Sequence, residues 1–426
     1  MGLKEALTGR GRSRAAKGTF AALDIGSTKI ACFIAKAEEG GNARVIGVGH
    51  QVSRGIRNGA LVDMEAAENA IGSAVHAAET MAGDTVREVL VSLSGAEPES
   101  QTLTAEVAVA GSEIGDGDVR RALAHASDLS LPPGAELIHS IPVGYTVDGS
   151  RGIRDPRGMV GDQLGVRLHV VTAASNPVRN LASCVARCHL NVEGFVMAPY
   201  AAGLACLVPD EMDLGTTLID MGGGTTSMAV FFDGRLVWTD SVPMGGSHVT
   251  NDIARGLTTP LAHAERLKTL FGSAVASPAD EREIIDVPQV GEDEPSQANH
   301  VPKSLLVGII QPRLEEIFEH VRAKLENSGF AKLAGRRVVL TGGASQLPGL
   351  RELAQTVLDK QVRMGRPLRI SGLAESVGGP AFSTAAGLLH YSLHRLGELP
   401  TLAPQGVDAG GGRWWGRVGV WLKDNL

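Results

Sequence analysis

Three glycine-rich segments of the sequence each follow an apolar run, and two of them begin with an aspartate. These segments are Asp24-Ile-Gly-Ser-Thr, Asp220-Met-Gly-Gly-Gly-Thr and Leu340-Thr-Gly-Gly-Ala. Glycine lets the backbone turn tightly and bring its amide hydrogens close to phosphate oxygens. Carboxylate oxygens are ligands that Mg²⁺ prefers, and the ion usually keeps several waters. The pattern therefore predicts a phosphate site at which Asp24 and Asp220 hold Mg²⁺ through water.

Each segment could also be an ordinary turn, because glycine and aspartate are common in hairpins for conformational reasons alone. Other nucleotide-binding patterns fit less well. The sequence has no Gly-Lys-Ser/Thr triplet of a P-loop, and Gly222 to Gly224 leads into another strand, whereas a dinucleotide fingerprint leads into a helix. A Gly-x-Ser-x-Gly nucleophile elbow and a His-Glu-x-x-His zinc helix are both missing from the sequence. Hydrolase chemistry therefore has no visible site.

The elements that must position these turns repeat along the chain. A strand, an aspartate, a glycine turn and a second strand occur over 20–37 and again over 216–232, 196 residues apart. Such a repeat predicts two related lobes. Further strands are predicted at 43–52, 89–93, 136–147, 164–170, 236–238 and 337–340, and helices after Asp63, at 118–129, at 177–192 with Asn176 as its cap, at 312–326 and after Pro348. Residues 278–302 are acidic and predict an exposed, irregular excursion.

Composition and charge narrow the class of protein. The 426 residues are 43% apolar and 20% charged, which predicts a globular chain with more than one core. The ends are basic, with a charge of +4 over residues 1–19 and +2 over 413–426, and the rest of the chain carries −13. So acidic a body argues against nucleic acid as a partner. No apolar run is long enough to span a bilayer and no secretory pattern is present, so we expect a cytoplasmic body.

The four cysteines are too few for a disulfide framework and suit a reducing compartment. Cys184, Cys188 and His189 lie close enough along the chain to suggest a metal site. No fourth ligand has a matching spacing, however, and the apolar residues around them follow helical intervals. This pattern favours core packing.

The last fourteen residues hold three of the four tryptophans. On a helix, Trp414 and Trp421 would lie on one stripe with Val418, Leu422 and Asn425, and Trp415 would lie beside it, while Arg413, Arg417 and Asp424 would lie on other faces. Such a helix would rise about 21 Å, short of the roughly 30 Å of a bilayer core, so it would lie in the membrane interface. The alternative is that the stripe docks on the body. The residues predicted to contact a membrane are Trp414, Trp415, Arg417, Val418, Trp421, Leu422 and Lys423.

Taken together and in this order, the three glycine segments resemble the two phosphate loops and the adenosine loop of the actin, heat-shock chaperone and sugar kinase superfamily. Ala198-Pro-Tyr-Ala-Ala-Gly and Ser383-Thr-Ala-Ala-Gly-Leu resemble its two connecting helices. The resemblance implies an α/β fold with two actin-like, ribonuclease H-like lobes, and ATP with Mg²⁺ as cofactors. The residues that it implies for nucleotide binding are Asp24, Gly26, Ser27, Thr28, Lys29, Asp220, Gly222, Gly223, Gly224, Thr225, Glu265, Lys268, Gly342, Gly343 and Ala344.

Glu265 and Lys268 are carried over because related proteins use a Glu and a Lys three residues apart on a helix to reach ribose and adenine. The same spacing is also that of an ordinary surface ion pair. Lys29 would approach a phosphate.

Within the superfamily the sequence resembles the FtsA family of bacterial cell-division proteins. The segments Val89-Leu-Val-Ser-Leu-Ser-Gly, Ile138-His-Ser-Ile-Pro and Leu168-His-Val-Val-Thr carry this resemblance, and they imply a subdomain 1C inserted in the first lobe. The implied division is a basic leader 1–19, subdomain 1A at 20–85 and 174–213, subdomain 1C at 86–173, subdomain 2A at 214–244 and 331–396, subdomain 2B at 245–330, a linker 397–412 and an amphipathic helix 413–426.

The FtsA resemblance also implies partners and a location. These are the C-terminal peptide of the tubulin-like protein FtsZ on subdomain 2B, a second copy in a filament, anionic lipids, and later division proteins through subdomain 1C. The protein would bind peripherally to the cytoplasmic side of the membrane at the division site. Two alternatives of the same superfamily are a pilus-assembly adaptor of the PilM type, which normally lacks a terminal amphipathic helix, and a sugar-kinase-type phosphotransferase.

Two positions depart from the superfamily pattern. Chaperone ATPases and MreB have a carboxylate where this chain has Ala198, and many relatives have an acid where it has Ser227. Such a group positions the attacking water, and in-line attack loses much of its help without one. We therefore expect ATP binding with slow or no hydrolysis, and no catalytic residue.

Overall fold

Two five-stranded sheets with the same strand order form the two lobes of the chain. A computed structural model describes residues 18–38, 42–111, 113–127, 131–291, 299–368, 370–393 and 398. The first lobe begins with β1 Thr19–Ile25, β2 Lys29–Ala37, β3 Ala43–Val52, the short strands β4 Ile56–Arg57 and β5 Ala60–Leu61, α1 Met64–Ala82 and β6 Glu88–Leu93. After an insert it continues with α3 Ser175–Arg187, β11 Asn191–Met197, α4 Ala198–Cys206 and α5 Pro209–Leu214. The insert consists of β7 Glu99–Ala108, α2 Asp116–Ser127, β8 Ala135–Val147, β9 Ser150–Ile153 and β10 Gln163–Ala174.

The second lobe follows the same plan with a longer excursion. It comprises β12 Thr216–Met221, β13 Thr226–Phe232, β14 Arg235–Val242, α6 Gly246–Gly256, α7 Leu261–Phe271, β15 Ile284–Val287, β16 Asn299–Pro302, α8 Lys303–Asn327, β17 Arg337–Thr341, α9 Leu350–Leu358, β18 Gln361–Met364 and α10 Ser383–Leu393. The strand orders are β3-β2-β1-β6-β11 and β14-β13-β12-β17-β18. In both sheets the first three strands are antiparallel neighbours and the last two add in parallel. The two related lobes predicted from the repeat are confirmed.

Helices α4 and α10 cross between the two sheets at very close range. A Cβ added to Gly387 of α10 would lie only 1.7 Å from the carbonyl oxygen of Ala201 in α4. The apolar core of the first lobe runs past both helices to side chains of the second sheet, including Leu218 and Phe231. Backbones approach this closely only where side chains are small, which explains why each helix contains Ala-Ala-Gly.

The insert has a sheet and a core of its own. Its strand order is β7-β10-β8-β9, and α2 buries Val119, Ala122 and Leu123 against β10. The sequence prediction started this subdomain at residue 86, but β6 pairs in parallel with β1 and β11 in the first sheet. The structure therefore places the start of the insert after β6. The other predicted boundaries remain predictions.

Local predictions succeed where a cap or a turn is encoded within a few residues. Asp63 caps α1 as expected, since its carboxylate accepts a hydrogen bond from the amide of Ala66 at 3.1 Å. α8 begins at Lys303 and not at Pro312, because Leu306, Val307 and Ile310 are all buried and their packing outweighs the hydrogen bond that Pro312 cannot make.

Two further predictions are corrected by tertiary contacts. The excursion at 278–302 is not exposed throughout, since β15 pairs with β16 and buries Ile285 and Val287. Helix α3 begins at Ser175, with Ala174 and not Asn176 at its cap position. Pro177 still falls in the first turn of that helix, where its missing N–H leaves no hydrogen bond unmade.

Candidate functional site

One cavity of about 430 Å³ brings together all fifteen residues implied for nucleotide binding. They come from both lobes and are separated by up to 320 positions in sequence, yet they face the same space. The cavity-lining residues that the sequence interpretation named are Asp24, Gly26, Ser27, Thr28, Lys29, Asp220, Gly222, Gly223, Gly224, Thr225, Glu265, Lys268, Gly342, Gly343 and Ala344. Their convergence is what a shared ligand requires.

The two phosphate-loop candidates are equivalent hairpin turns that touch each other. The amide of Gly26 donates to the carbonyl of Lys29 at 3.0 Å, and the amide of Gly222 donates to the carbonyl of Thr225 at 2.9 Å. A Cβ on Gly223 would lie 2.2 Å from the methyl carbon of Thr28. Glycine is thus needed at this position because the loop of one lobe lies directly against that of the other.

The third glycine segment closes the cavity next to the second aspartate. Gly342 has a φ of +91°, a conformation that favours glycine, and a Cβ there would lie 2.4 Å from Asp220 Oδ1. The start of α6 is held to the second hairpin, since the amides of Gly246 and Ser247 donate to the carbonyls of Gly222 and Gly223 at 3.0 and 2.8 Å. The cavity walls are therefore fixed largely by backbone contacts.

Each aspartate is oriented by one hydroxyl. The hydroxyl of Ser92 on β6 donates to Asp24 Oδ1 at 2.8 Å, and that of Thr384 on α10 donates to Asp220 Oδ2 at 2.9 Å. Burial raises the pKa of Asp24. Burial and the nearby charge of Asp24 together raise the pKa of Asp220 to about 6. A cation placed beside these two buried carboxylates would stabilise their charged forms.

Lys29 supplies part of the missing positive charge. Its ammonium lies 3.4 Å from the ring centroid of Phe382 and donates to the carbonyl of Ala381. Burial lowers the pKa of Lys29 to about 8, although the charges of Asp24 and Asp220 oppose the change. The first loop is thereby tied to the segment that precedes α10.

Glu265 and Lys268 form the ion pair that their spacing allows, and they form it on the cavity wall. Lys268 Nζ lies 2.7 Å from Glu265 Oε2 and donates to the hydroxyl of Thr250 at 2.8 Å. The lysine is largely buried whereas the glutamate side chain is about half exposed. The ion-pair interpretation and the ligand-binding interpretation are therefore compatible.

Sequence reasoning missed several lining residues, because none of them belongs to the three glycine segments. Thr384 stands in the quoted Ser383-Thr-Ala-Ala-Gly segment, where its position alone gave no sign of the contact with Asp220. The additional lining residues are Ser94, Gly246, Ser247, Thr269, Gln346, Leu347, Pro348, Pro380, Ala381 and Thr384.

The two departures from the superfamily pattern are both buried. Ala198 is the first residue of α4, and the hydroxyl of Ser227 donates to the carbonyl of Ser94 at 3.3 Å. Of the residues that the structure describes, the carboxylates lining the cavity are Asp24, Asp220 and Glu265. Neither of these two positions thus offers a carboxylate that could orient a water.

Three sequence interpretations concern residues away from the cavity. Cys184 packs in the core of the first lobe, where burial raises the pKa of its thiol to about 11, and His189 is exposed. Within the described ranges, no group of three or more His, Cys, Asp or Glu side chains could hold a metal ion.

The amphipathic helix predicted at 413–426 lies outside the described residues. No described helix is both long and apolar enough to cross a membrane.

Comparison with known proteins identifies the family. A family model described as "Cell division protein FtsA" matches residues 217–387, and one described as "SHS2 domain inserted in FTSA" matches residues 95–172. The chain is 47% identical to the cell division protein FtsA of Rhizobium meliloti over 95% of this chain and 94% of that protein. It is 33% identical to FtsA of Escherichia coli K12 over 94% of this chain and 96% of that protein.

Solved structures agree with the fold. A chain of the PilM–PilN type IV pilus biogenesis complex has a TM-score of 0.61 at 18% identity, covering 88% of this chain and 98% of that one. MreB5 of Spiroplasma citri bound to ADP has a TM-score of 0.54 at 14% identity, covering 88% and 95%. At such identities these structures support the actin-like fold alone, and the PilM alternative gains nothing further from them. Because proteins named cell division protein FtsA are 33–47% identical to this chain over nearly its full length, the chain belongs to the FtsA family of cell division proteins.

Proposed function

We propose that this chain binds ATP with Mg²⁺ between its lobes and links a division polymer to the inner face of the cytoplasmic membrane. The observation that carries the nucleotide part is the convergence of all fifteen candidate residues on one cavity. MreB5, which shares the fold, is bound to ADP in its solved structure. The division part is supported by membership of the FtsA family.

Different groups of residues would bind different parts of the ATP molecule. The hairpin amides and the hydroxyls of Ser27, Thr28 and Thr225 would bind the phosphates, with Lys29 beside them. Gly342, Gly343 and Ala344 would contact adenosine, and Glu265 with Lys268 would reach the ribose and adenine.

The donor set also fits Mg²⁺. Asp24 and Asp220 present two hard oxygen groups whose charged forms are disfavoured chiefly by burial, which raises both pKa values. Two carboxylates with water and phosphate oxygens form the kind of site that Mg²⁺ uses. The bound ion would neutralise charge on the triphosphate, while the hydroxyls of Ser92 and Thr384 keep both carboxylates aimed at it.

A titration of the full chain with a fluorescent ATP analogue, with and without Mg²⁺, tests the nucleotide site. We expect saturable binding that requires Mg²⁺. Gly223→Val places a branched side chain where a Cβ already lies 2.2 Å from Thr28, so it should abolish binding. Gly308→Ala is the control, because nothing lies within 4 Å of a Cβ there. Binding that survives Gly223→Val would contradict the proposed site.

Slow hydrolysis is a separate expectation. Ala198 and Ser227 leave no carboxylate where relatives position the attacking water, so the transition state loses that help. Phosphate release by the purified chain, measured under saturating Mg²⁺-ATP, should stay far below about one per second, the low end of ordinary enzyme turnover. Steady release at or above that rate would overturn the expectation.

The partners remain those of the family resemblance. We propose that the FtsZ C-terminal peptide binds subdomain 2B at 245–330, that copies of the chain form a filament, and that subdomain 1C contacts later division proteins. A fluorescent fusion should localise to midcell. Signal at the poles would favour pilus assembly, and phosphoryl transfer to a sugar would favour the kinase alternative.

Removal of residues 413–426 should separate membrane binding from nucleotide binding. The tryptophan stripe and the charge of +2 in this segment suit an anionic interface. One short helix binds weakly, so firm attachment needs several copies on a polymer. In flotation with vesicles containing anionic lipid, the shortened chain should stay at the bottom while its ATP affinity is unchanged. Flotation of the shortened chain would refute the membrane anchor.

A further inference from the structure

Glu398 is a buried carboxylate in a segment that composition assigns to an exposed linker. It lies five residues beyond the end of α10, and only 5% of its surface is exposed. Charged side chains are rarely buried unless partners compensate them. Glu398 is thus buried although it lies within the predicted linker 397–412, whose bounds remain a prediction.

Two side chains contact one oxygen of this carboxylate, Oε2, whereas the buried Oε1 has no hydrogen-bond partner among the described residues. The hydroxyl of Tyr391 donates to Glu398 Oε2 at 2.7 Å, and His139 Nδ1 lies 3.0 Å from the same oxygen. The amide of Met197 donates to His139 Nε2 at 3.0 Å, so Nε2 is the acceptor and the hydrogen on Nδ1 points to the glutamate. Tyr200 completes the group, with its ring 5.1 Å from that of His139. We call His139, Tyr200 and Tyr391 the Glu398 cage.

The cage keeps the carboxylate charged. Burial alone would raise the pKa of Glu398, but His139 and the two tyrosine hydroxyls lower it below its ordinary value. Removing one donor from a buried charge is costly, because the charge loses stabilisation that water cannot replace. Each cage residue should therefore matter individually.

The cage joins three parts of the structure. His139 lies on β8 of the insert, Tyr200 on α4 and Tyr391 on α10. Helix α10 also carries Thr384, which orients Asp220 at the nucleotide cavity. Glu398 is thus held where the insert meets the first lobe, and Tyr391 lies about 10 Å along α10 from Thr384 at the cavity.

We propose that Glu398 is a fastening point for the chain beyond α10: the Glu398 cage is an internal docking site that holds Glu398 against the body and locks the insert to the first lobe. The fastening itself does not depend on nucleotide or membrane binding.

Cleavage by a glutamate-specific protease tests the fastening on the full chain, because the cut must occur at Glu398 itself. Tyr391→Phe removes one hydroxyl and keeps the ring. We expect it to increase the rate of cleavage after Glu398, followed by intact mass, by about tenfold to a hundredfold, the range for a hydrogen bond to a charged group. Tyr145→Phe is the matched control, since it removes the same atom outside the cage, and it should behave as the unchanged chain.

Two results would overturn the proposal. One is an unchanged chain that is cut after Glu398 as fast as Tyr391→Phe, and the other is a Tyr391→Phe variant that is cut no faster than the control. His139→Asn keeps a donor near the position of Nδ1, whereas His139→Gln does not. His139→Asn should therefore protect Glu398 from cleavage better than His139→Gln. A general loss of packing would not produce this difference between the two variants. If Tyr391→Phe does not fold, Tyr200→Phe replaces it. ATP affinity should be equal in all folded variants, so failure of the nucleotide proposal would be seen separately.

Discussion

Replacing Asp220 with Asn should abolish Mg²⁺-dependent nucleotide binding and, at the same time, stabilise the ligand-free chain. Burial and the charge of Asp24 raise the pKa of Asp220 from 3.8 to about 6, so the folded chain at neutral pH contains a carboxylate in an unfavourable place. The shift corresponds to at most about 3 kcal/mol, and less in practice because the side chain reaches the solvent-filled cavity. Asn keeps an oxygen that accepts from Thr384 but does not repel Asp24.

The measurement is thermal unfolding with and without Mg²⁺-ATP. The Asp220→Asn variant should unfold at a higher temperature than the unchanged chain without ligand, and it should gain nothing from ligand. Asp210→Asn is the control, because Asp210 is exposed on α5 away from the cavity. A variant that is less stable without ligand, or that still responds to Mg²⁺-ATP, would contradict this account of the aspartate pair.

The raised pKa of Asp220 also determines in which direction the stability of the chain changes with pH. A carboxyl whose pKa is raised on folding stabilises the fold when protonated, and that contribution is lost as pH rises through about 6. Lowering the pH from 7.5 towards 5 should therefore narrow the difference in unfolding temperature between Asp220→Asn and the unchanged chain. Over the same range the affinity for Mg²⁺-ATP should fall, since a protonated carboxyl is a poor ligand.

Gly387→Ala is expected to have the largest effect on stability. Its new methyl would lie 1.7 Å from the carbonyl oxygen of Ala201, and both atoms belong to backbones of tightly packed helices. Neither helix can shift without disturbing the core that joins the lobes. Overpacking of this kind costs about 3 kcal/mol or more. Denaturant unfolding should show a much lower midpoint, and much of the variant should be insoluble.

A matched substitution should act in the opposite direction. Gly72 lies inside α1, and nothing lies within 4 Å of a Cβ at that position. Gly72→Ala should stabilise the chain by about 0.5–1 kcal/mol, because alanine loses less backbone freedom on folding. Equal unfolding midpoints for Gly387→Ala and Gly72→Ala would show that the close helix crossing is not real.

The sequence predicted those features whose cause is local. Apolar runs on either side of the turn Gly26-Ser27-Thr28 predicted β1 and β2, and the cap at Asp63 predicted the start of α1, because a few adjacent residues determine each of them. That the three glycine segments meet in one cavity was implied by the family resemblance and not by periodicity.

Features that depend on distant partners could not be predicted in this way. The hydroxyl of Thr384 meets Asp220 across 164 positions, and His139 meets Glu398 across 259. A glutamate within a glycine- and proline-rich segment has the composition of a linker, and only its tertiary donors show that it is buried. Burial likewise extended α8 beyond the proline that composition had marked as its start.

The position of α10 at the centre of the fold has a consequence for the order in which the chain becomes folded. Leu388 and Leu389 of this helix belong to the same core as Leu23 of β1, although they are made some 365 residues later. At about 5–20 residues per second, β1 would wait about 20–70 s during synthesis for the helix that completes its core. Such long-range contacts also make folding slow. We therefore expect the chain to need a chaperone most during synthesis, after the first lobe has formed and before α10 has been made.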